Sequence, residues 1–146
     1  MRLLRSFDRW LFAEGDPHSL ALMRILFGTI ATAILLVQAP FLADYFGETG
    51  LVPVATLRLW QWKGWTPNPL TDVSFAAFRA VYAGIVVCAV LCAAGLWTRI
   101  SSAALFLGIL SIHNRNPLIL NSGDTLLRLV LLYLACSRCG AVWSLD

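Results

Sequence analysis

Apolar residues fill four stretches of the chain, each bounded by polar or turn-forming residues. Crossing the ~30 Å hydrocarbon layer takes ~20 residues of helix, and the stretches at 19–40, 74–97, 100–115 and 123–139 approach that length. The first, SLALMRILFGTIATAILLVQAP, holds one charge, Arg24, placed near enough to its start to snorkel. The second, SFAAFRAVYAGIVVCAVLCAAGLW, has Arg79 in its first turn. The third runs from ISSAALFLGILSIH into HNRNP, and the fourth is GDTLLRLVLLYLACSRC; both are shorter and polar at their ends. LWTRIS at 96–101 reads as a tight turn between the second and third.

Two further segments read as interfacial. MRLLRSFDRWLF sets Leu3, Leu4, Phe7, Leu11 and Phe12 at helical spacing, with Arg2, Arg5, Asp8 and Arg9 largely opposite. That pattern predicts an amphipathic helix over 2–13 lying on the membrane. The apolar stretch behind it is too long, and starts too far from Met1, for a signal peptide, so no cleavage is expected. The connection Phe41–Val73 holds Trp60, Trp62 and Trp65. Indole rings favour the membrane–water boundary, and a second interfacial helix is predicted over 53–63.

Composition sharpens the class. Hydrophobic residues make up 59% and charged residues 13%, about half the usual charged share of ~25%. A soluble domain would need more charge to cover its surface, and disorder, coiled coil and collagen are excluded on the same figures. The expectation is an all-α integral membrane protein: one domain, a bundle of about four transmembrane helices with an N-terminal interfacial amphipathic helix. The net charge of +3 is spread along the chain without a basic run, which gives nucleic-acid binding no footing. Arg2, Arg5, Arg9, Arg99 and Arg138 fall on one side of the spans, against Arg58, Lys63, Arg79 and Arg115 on the other. The bias places both termini in the cytoplasm, in a bacterial inner or plasma membrane.

The cysteines allow two readings. Cys136 and Cys139 form a CxxC, a spacing used in thiol–disulfide exchange, but they close a helix where the dipole disfavours thiolate. Ala76, Ala80, Gly84, Cys88 and Cys92 recur every fourth residue and are all small, a helix-packing stripe of the kind that lets membrane helices approach closely. Cysteine in such a stripe serves as a small apolar side chain. Cysteines on two separate helices lack the spacing of a zinc site, so no metal is expected.

The chemistry is concentrated in HNRNPLILNSGD, residues 113–124, with Arg128 one turn later. His113, Asn114, Arg115, Asn116, Asn121 and Asp124 cannot face lipid unsatisfied. They form either a hydrogen-bonded connection or the floor of an extracytoplasmic pocket, closed by the loop that holds Asp44 and Glu48. Asp124 and Arg128 stand i, i+4 and are expected to pair. Arg115 is the candidate for gripping an anionic or carbonyl group, and His113 for moving a proton. No catalytic set is evident.

Residues 95–146 resemble the HTTM family, the horizontally transferred transmembrane domain related to vitamin K-dependent gamma-carboxylase. HNRNP at 113–117, NSGDTLLR at 121–128 and WSLD at 143–146 carry the likeness, while MRILFG at 23–28 and YFGETGLVP at 45–53 are similar to the family's N-terminal part. The chain corresponds to about the N-terminal half of that family. The resemblance implies a helical membrane fold. In the carboxylase branch it also implies an extracytoplasmic site where reduced vitamin K is oxidised and a glutamate carboxylated. That branch uses a Lys base, and Lys63 lies in no matching motif. The expected function is a non-catalytic subunit that packs among membrane lipids and other membrane protein chains. The alternative is a membrane enzyme or quinone/lipid-binding protein using the polar pocket, and a third reading is a membrane partner of a thiol oxidoreductase. No resident cofactor is evident; a quinone or lipid is the ligand class such a pocket would take.

Overall fold

The computed structural model describes residues 17–47, 50, 51, 53, 56, 70, 73–137 and 139–145. The predicted interfacial helix over 2–13, nearly all of that over 53–63, and Glu48 lie outside the described residues. Among these residues the secondary structure is entirely helical. The elements are α1 (Pro17–Gln38), a 3-10 turn (Ala39–Phe41), α2 (Leu42–Phe46), α3 (Phe75–Ala94), α4 (Thr98–Arg115), a second 3-10 turn (Pro117–Ile119) and α5 (Ser122–Cys136).

Pro40 was expected to end the first span. It lacks an N–H, but proline is tolerated in the first turn of a helix, and here it opens one tight turn before α2 continues to Phe46. At the other end of the bundle, Ser74 caps α3 by accepting from the Ala77 N–H at 3.3 Å. Gly95, at φ 79°, ends α3, and the Leu96 N–H returns to the Leu91 carbonyl at 2.9 Å, a helix stop that requires the left-handed residue. The connection to α4 is therefore only Gly95–Trp97; Thr98 to Ser101, expected to be turn, are already helix.

The long helices run antiparallel in sequence order. α1 packs on α3, α3 on α4, α4 on α5, and α5 closes back on α1. The core between them is one apolar cluster that includes Leu35, Phe78, Ile85, Leu105, Ile109 and Leu131. Each helix turns one stripe inward: Phe78, Tyr82, Ile85, Ala89 and Cys92 on α3, and Asp124, Leu127, Leu131 and Leu134 on α5. Both follow the 3.6-residue period of a helix face.

Two stretches, Pro17–Phe46 and Phe75–Ala94, are long and apolar enough to cross a membrane. In each, 28% of the most apolar 18-residue window is buried within the structure. The predicted third and fourth spans correspond to α4 and to the 15-residue α5, which do not reach that combination of length and apolarity.

The stripe of small residues winds from the outer surface of α3 to the core. Ala76, Ala80 and Gly84 are exposed, Cys88 is half-buried and only Cys92 is buried. A Cβ added at Gly84 would meet nothing within 4 Å among the described residues. The close approach falls on other glycines. At Gly28 of α1 a Cβ would press on the Ala93 backbone nitrogen at 2.8 Å, and at Gly108 of α4 on Ile85 at 2.5 Å.

Candidate functional site

The polar segment sits where the C-terminus of α4 meets the N-termini of α3 and α5. It does not form one pocket. Its side chains divide between a clasp on the backbone and a narrow cleft inside the bundle.

The clasp is Arg115 and Asn116, both buried. α2 is short and ends at Phe46, so its last carbonyls have no partner within the helix. Arg115 Nη2 donates to the Phe46 carbonyl at 3.0 Å, and Asn116 Nδ2 donates to the Tyr45 carbonyl at 3.0 Å. A cation at a helix C-terminus also meets the negative end of the dipole. Arg115 Nη1 donates to the carbonyl of Leu70, which ties in the long connection between α2 and α3. The guanidinium lies 4.5 Å from the centre of the Phe78 ring, which stacks in turn on Phe46 at 4.9 Å. Asn116 Oδ1 accepts from the Leu118 N–H at 3.2 Å and turns the chain toward α5. The loop before α3 thus meets the clasp through its main chain. Asp44 is exposed and lines a separate open groove with Phe41, Tyr45 and Leu51.

The cleft belongs to His113 and Asp124. His113 Nε2 is 4.0 Å from Asp124 Oδ1, and both side chains are buried. The expected Asp124–Arg128 pair is absent. Asp124 Oδ2 instead accepts from the Asn121 N–H at 3.0 Å, and Asn121 Oδ1 accepts from the Asp124 N–H at 3.2 Å. This reciprocal capping box satisfies two amides at the start of α5, and it turns the carboxylate away from the position one turn on. Arg128, half-buried, donates to Thr125 Oγ1 at 3.4 Å, and its Nε has no partner among the described residues. Asn121 is exposed at the cap and Asn114 half-buried.

His113 Nδ1 is buried and has no partner among the described residues. The cleft it shares with Asp124 is lined by Ala31, Leu35, Gln38, Ile109 and Leu127, and its free space of about 10 Å³ is on the scale of one water molecule. Gln38 was not among the residues read from the sequence as polar-site candidates. At the end of an apolar span it looks like a boundary marker, and only the packing of α1 on α5 brings it to the pair.

The cysteines carry no disulfide. Cys136 is exposed, whereas Cys139 is buried with its Sγ toward the Leu134 carbonyl at 3.3 Å. Cys92 Sγ contacts Ser102 Oγ at 3.3 Å between α3 and α4, as a small packing side chain would.

Comparison of the chain with family models, with curated proteins and with solved structures gives no match in any of the three.

Proposed function

We propose that the chain is an HTTM-like integral membrane subunit. All four long helices cross the bilayer with both termini cytoplasmic, and the protein packs against other membrane chains. The observation that carries this reading is the outer face of α3. Ala76, Ala77, Ala80, Ala83 and Gly84 are all exposed on a candidate span, and no other element among the described residues comes within 4 Å of a Cβ at Gly84. A surface of small side chains gains little from lipid tails but permits close backbone approach by a second helix. Outward-facing Leu22 and Leu26 on α1, Leu107 on α4, and Leu126 and Leu129 on α5 suit a lipid environment on those three helices. The clasp supports a structural role for HNRNP, since Arg115 and Asn116 are engaged in holding the α2 terminus.

Gly84→Leu separates the inside from the outside of the bundle. Extracted in mild detergent, the wild-type chain should migrate as part of a larger assembly. The Gly84→Leu chain should migrate alone, with an unchanged melting temperature. A wild-type chain that runs alone, or a Gly84→Leu chain that stays in the assembly, contradicts the subunit reading.

The second reading, a membrane enzyme or a quinone- or lipid-binding protein, draws on the unpartnered Nδ1 of His113 beside Gln38 and Asp124. A ligand carbonyl or hydroxyl would supply what that nitrogen lacks. Small molecules that co-purify with wild type and are lost in His113→Phe would favour it.

A further inference from the structure

At the end of the bundle away from the clasp, Arg24 is fully buried. Its side chain extends from the second turn of α1 toward the turn after α3, where any Cβ at Gly95 would collide with Nη1. Nη2 donates to the Trp143 carbonyl, while Nε and Nη1 have no partner among the described residues. Guanidinium does not shed its proton in proteins, so among the described residues a permanent charge is offered one neutral acceptor. Burial without a counter-charge is costly. The two acidic side chains among the described residues, Asp44 and Asp124, are both at the other end of the bundle.

Among the described residues, the segment 139–145 lies as a strap against Arg24. Trp143 rests edge-on against His18 with ring centres 5.1 Å apart, and the Leu145 N–H donates to the Gly95 carbonyl at 3.1 Å. Ala141, Trp143 and Leu145 are themselves exposed. Beside the strap lies an open groove of about 540 Å³, lined among others by Trp97, Arg99, Ile100 and Ser137. Arg99 is exposed there, with exposed Trp97 and Ile100 around it. Cation, indole and aliphatic surface together match the headgroup level of a bilayer.

We propose that Arg24 is the buried half of an oxyanion site, filled by the phosphate of an anionic lipid headgroup that enters along this groove and displaces the Trp143 carbonyl. The guanidinium fork presents two parallel donors to phosphate oxygens, which supplies the charge and the hydrogen bonds that Nε and Nη1 lack. Arg99 meets the headgroup first, at the rim. The inference rests on the membrane placement of the chain and is independent of its assembly with other chains. Retention in carbonate-washed membranes tests that placement separately.

The test is thermal unfolding of the full chain, delipidated in neutral detergent and titrated with phosphatidylglycerol, phosphatidylcholine or inorganic phosphate. Phosphatidylglycerol should raise the melting temperature in a saturable way, and phosphatidylcholine should not. Arg24→Lys, which keeps the charge without the fork, should weaken the phosphatidylglycerol response by roughly tenfold, the loss of one charge-assisted contact. Arg24→Gln should abolish it. If inorganic phosphate alone reproduces the shift, the oxyanion site stands with free phosphate as its occupant. No anion-dependent shift in wild type overturns the proposal. So does a shift that survives unchanged in Arg24→Lys, which remains a usable arm if Arg24→Gln does not fold.

Discussion

Arg115 shows how one side chain can organise a whole connection. It holds carbonyls from two separate places in the chain, Phe46 and Leu70, and stacks on Phe78. A lysine there has no planar fork and would serve one carbonyl at a time. Arg115→Lys should therefore lower stability by about 1.5–3 kcal/mol, the worth of one hydrogen bond to a charged group. Unfolding in detergent measures it, and a loss below about 0.5 kcal/mol, the range of an ordinary surface substitution, would show that the clasp bears no weight. The sequence marked Arg115 as a gripping residue, but its partners were illegible. They are backbone carbonyls 69 and 45 positions away, and main-chain acceptors leave no trace in residue identity. Asp124 misled for a local reason. The i, i+4 spacing to Arg128 is real, but Asn121 three residues earlier completes a capping box and takes the carboxylate first.

At the scale of elements, the helices were legible because their signals are local. The apolar runs fall on the four long helices, and the Ser74 cap and Gly95 stop that bound α3 lie at its ends, although the sequence pattern runs that span on to 97. The packing faces were less so. A repeat of four residues advances about 40° per step around a helix that turns about 100° per residue. From Ala76 to Cys92 the small stripe therefore winds through about 160°, from the outer face to the core. This explains why Cys92 is buried while Gly84 is open. The contact between α1 and α3 is made instead at Gly28, in the MRILFG segment noted only for its resemblance. Gly28→Leu should destabilise the isolated chain by about 1–3 kcal/mol, as overpacking does, while Gly84→Leu stays within about 0.5 kcal/mol. Equal melting temperatures for the two variants would mean that α1 and α3 do not approach as described.

For the whole molecule, antiparallel order places the 3-10 turn at 117–119 at one end of the bundle and the 139–145 strap at the other. Both α4 and α5 are shorter or more polar than a free-standing span, but inside a bundle their polar ends are covered. Thr98, His113, Arg115 and Asp124 are all buried. On the proposed four-span reading, neighbouring helices satisfy what lipid cannot, which lets α4 and α5 cross beside the two more apolar spans. The most direct measurement is two-sided labelling of single cysteines, Leu118→Cys and Leu145→Cys, both exposed positions, in a chain with Cys88, Cys92, Cys136 and Cys139 replaced by alanine. A membrane-impermeant maleimide added outside intact cells should label position 118 and reach position 145 only after the cells are opened. Labelling of both positions from the same side would contradict a four-span bundle.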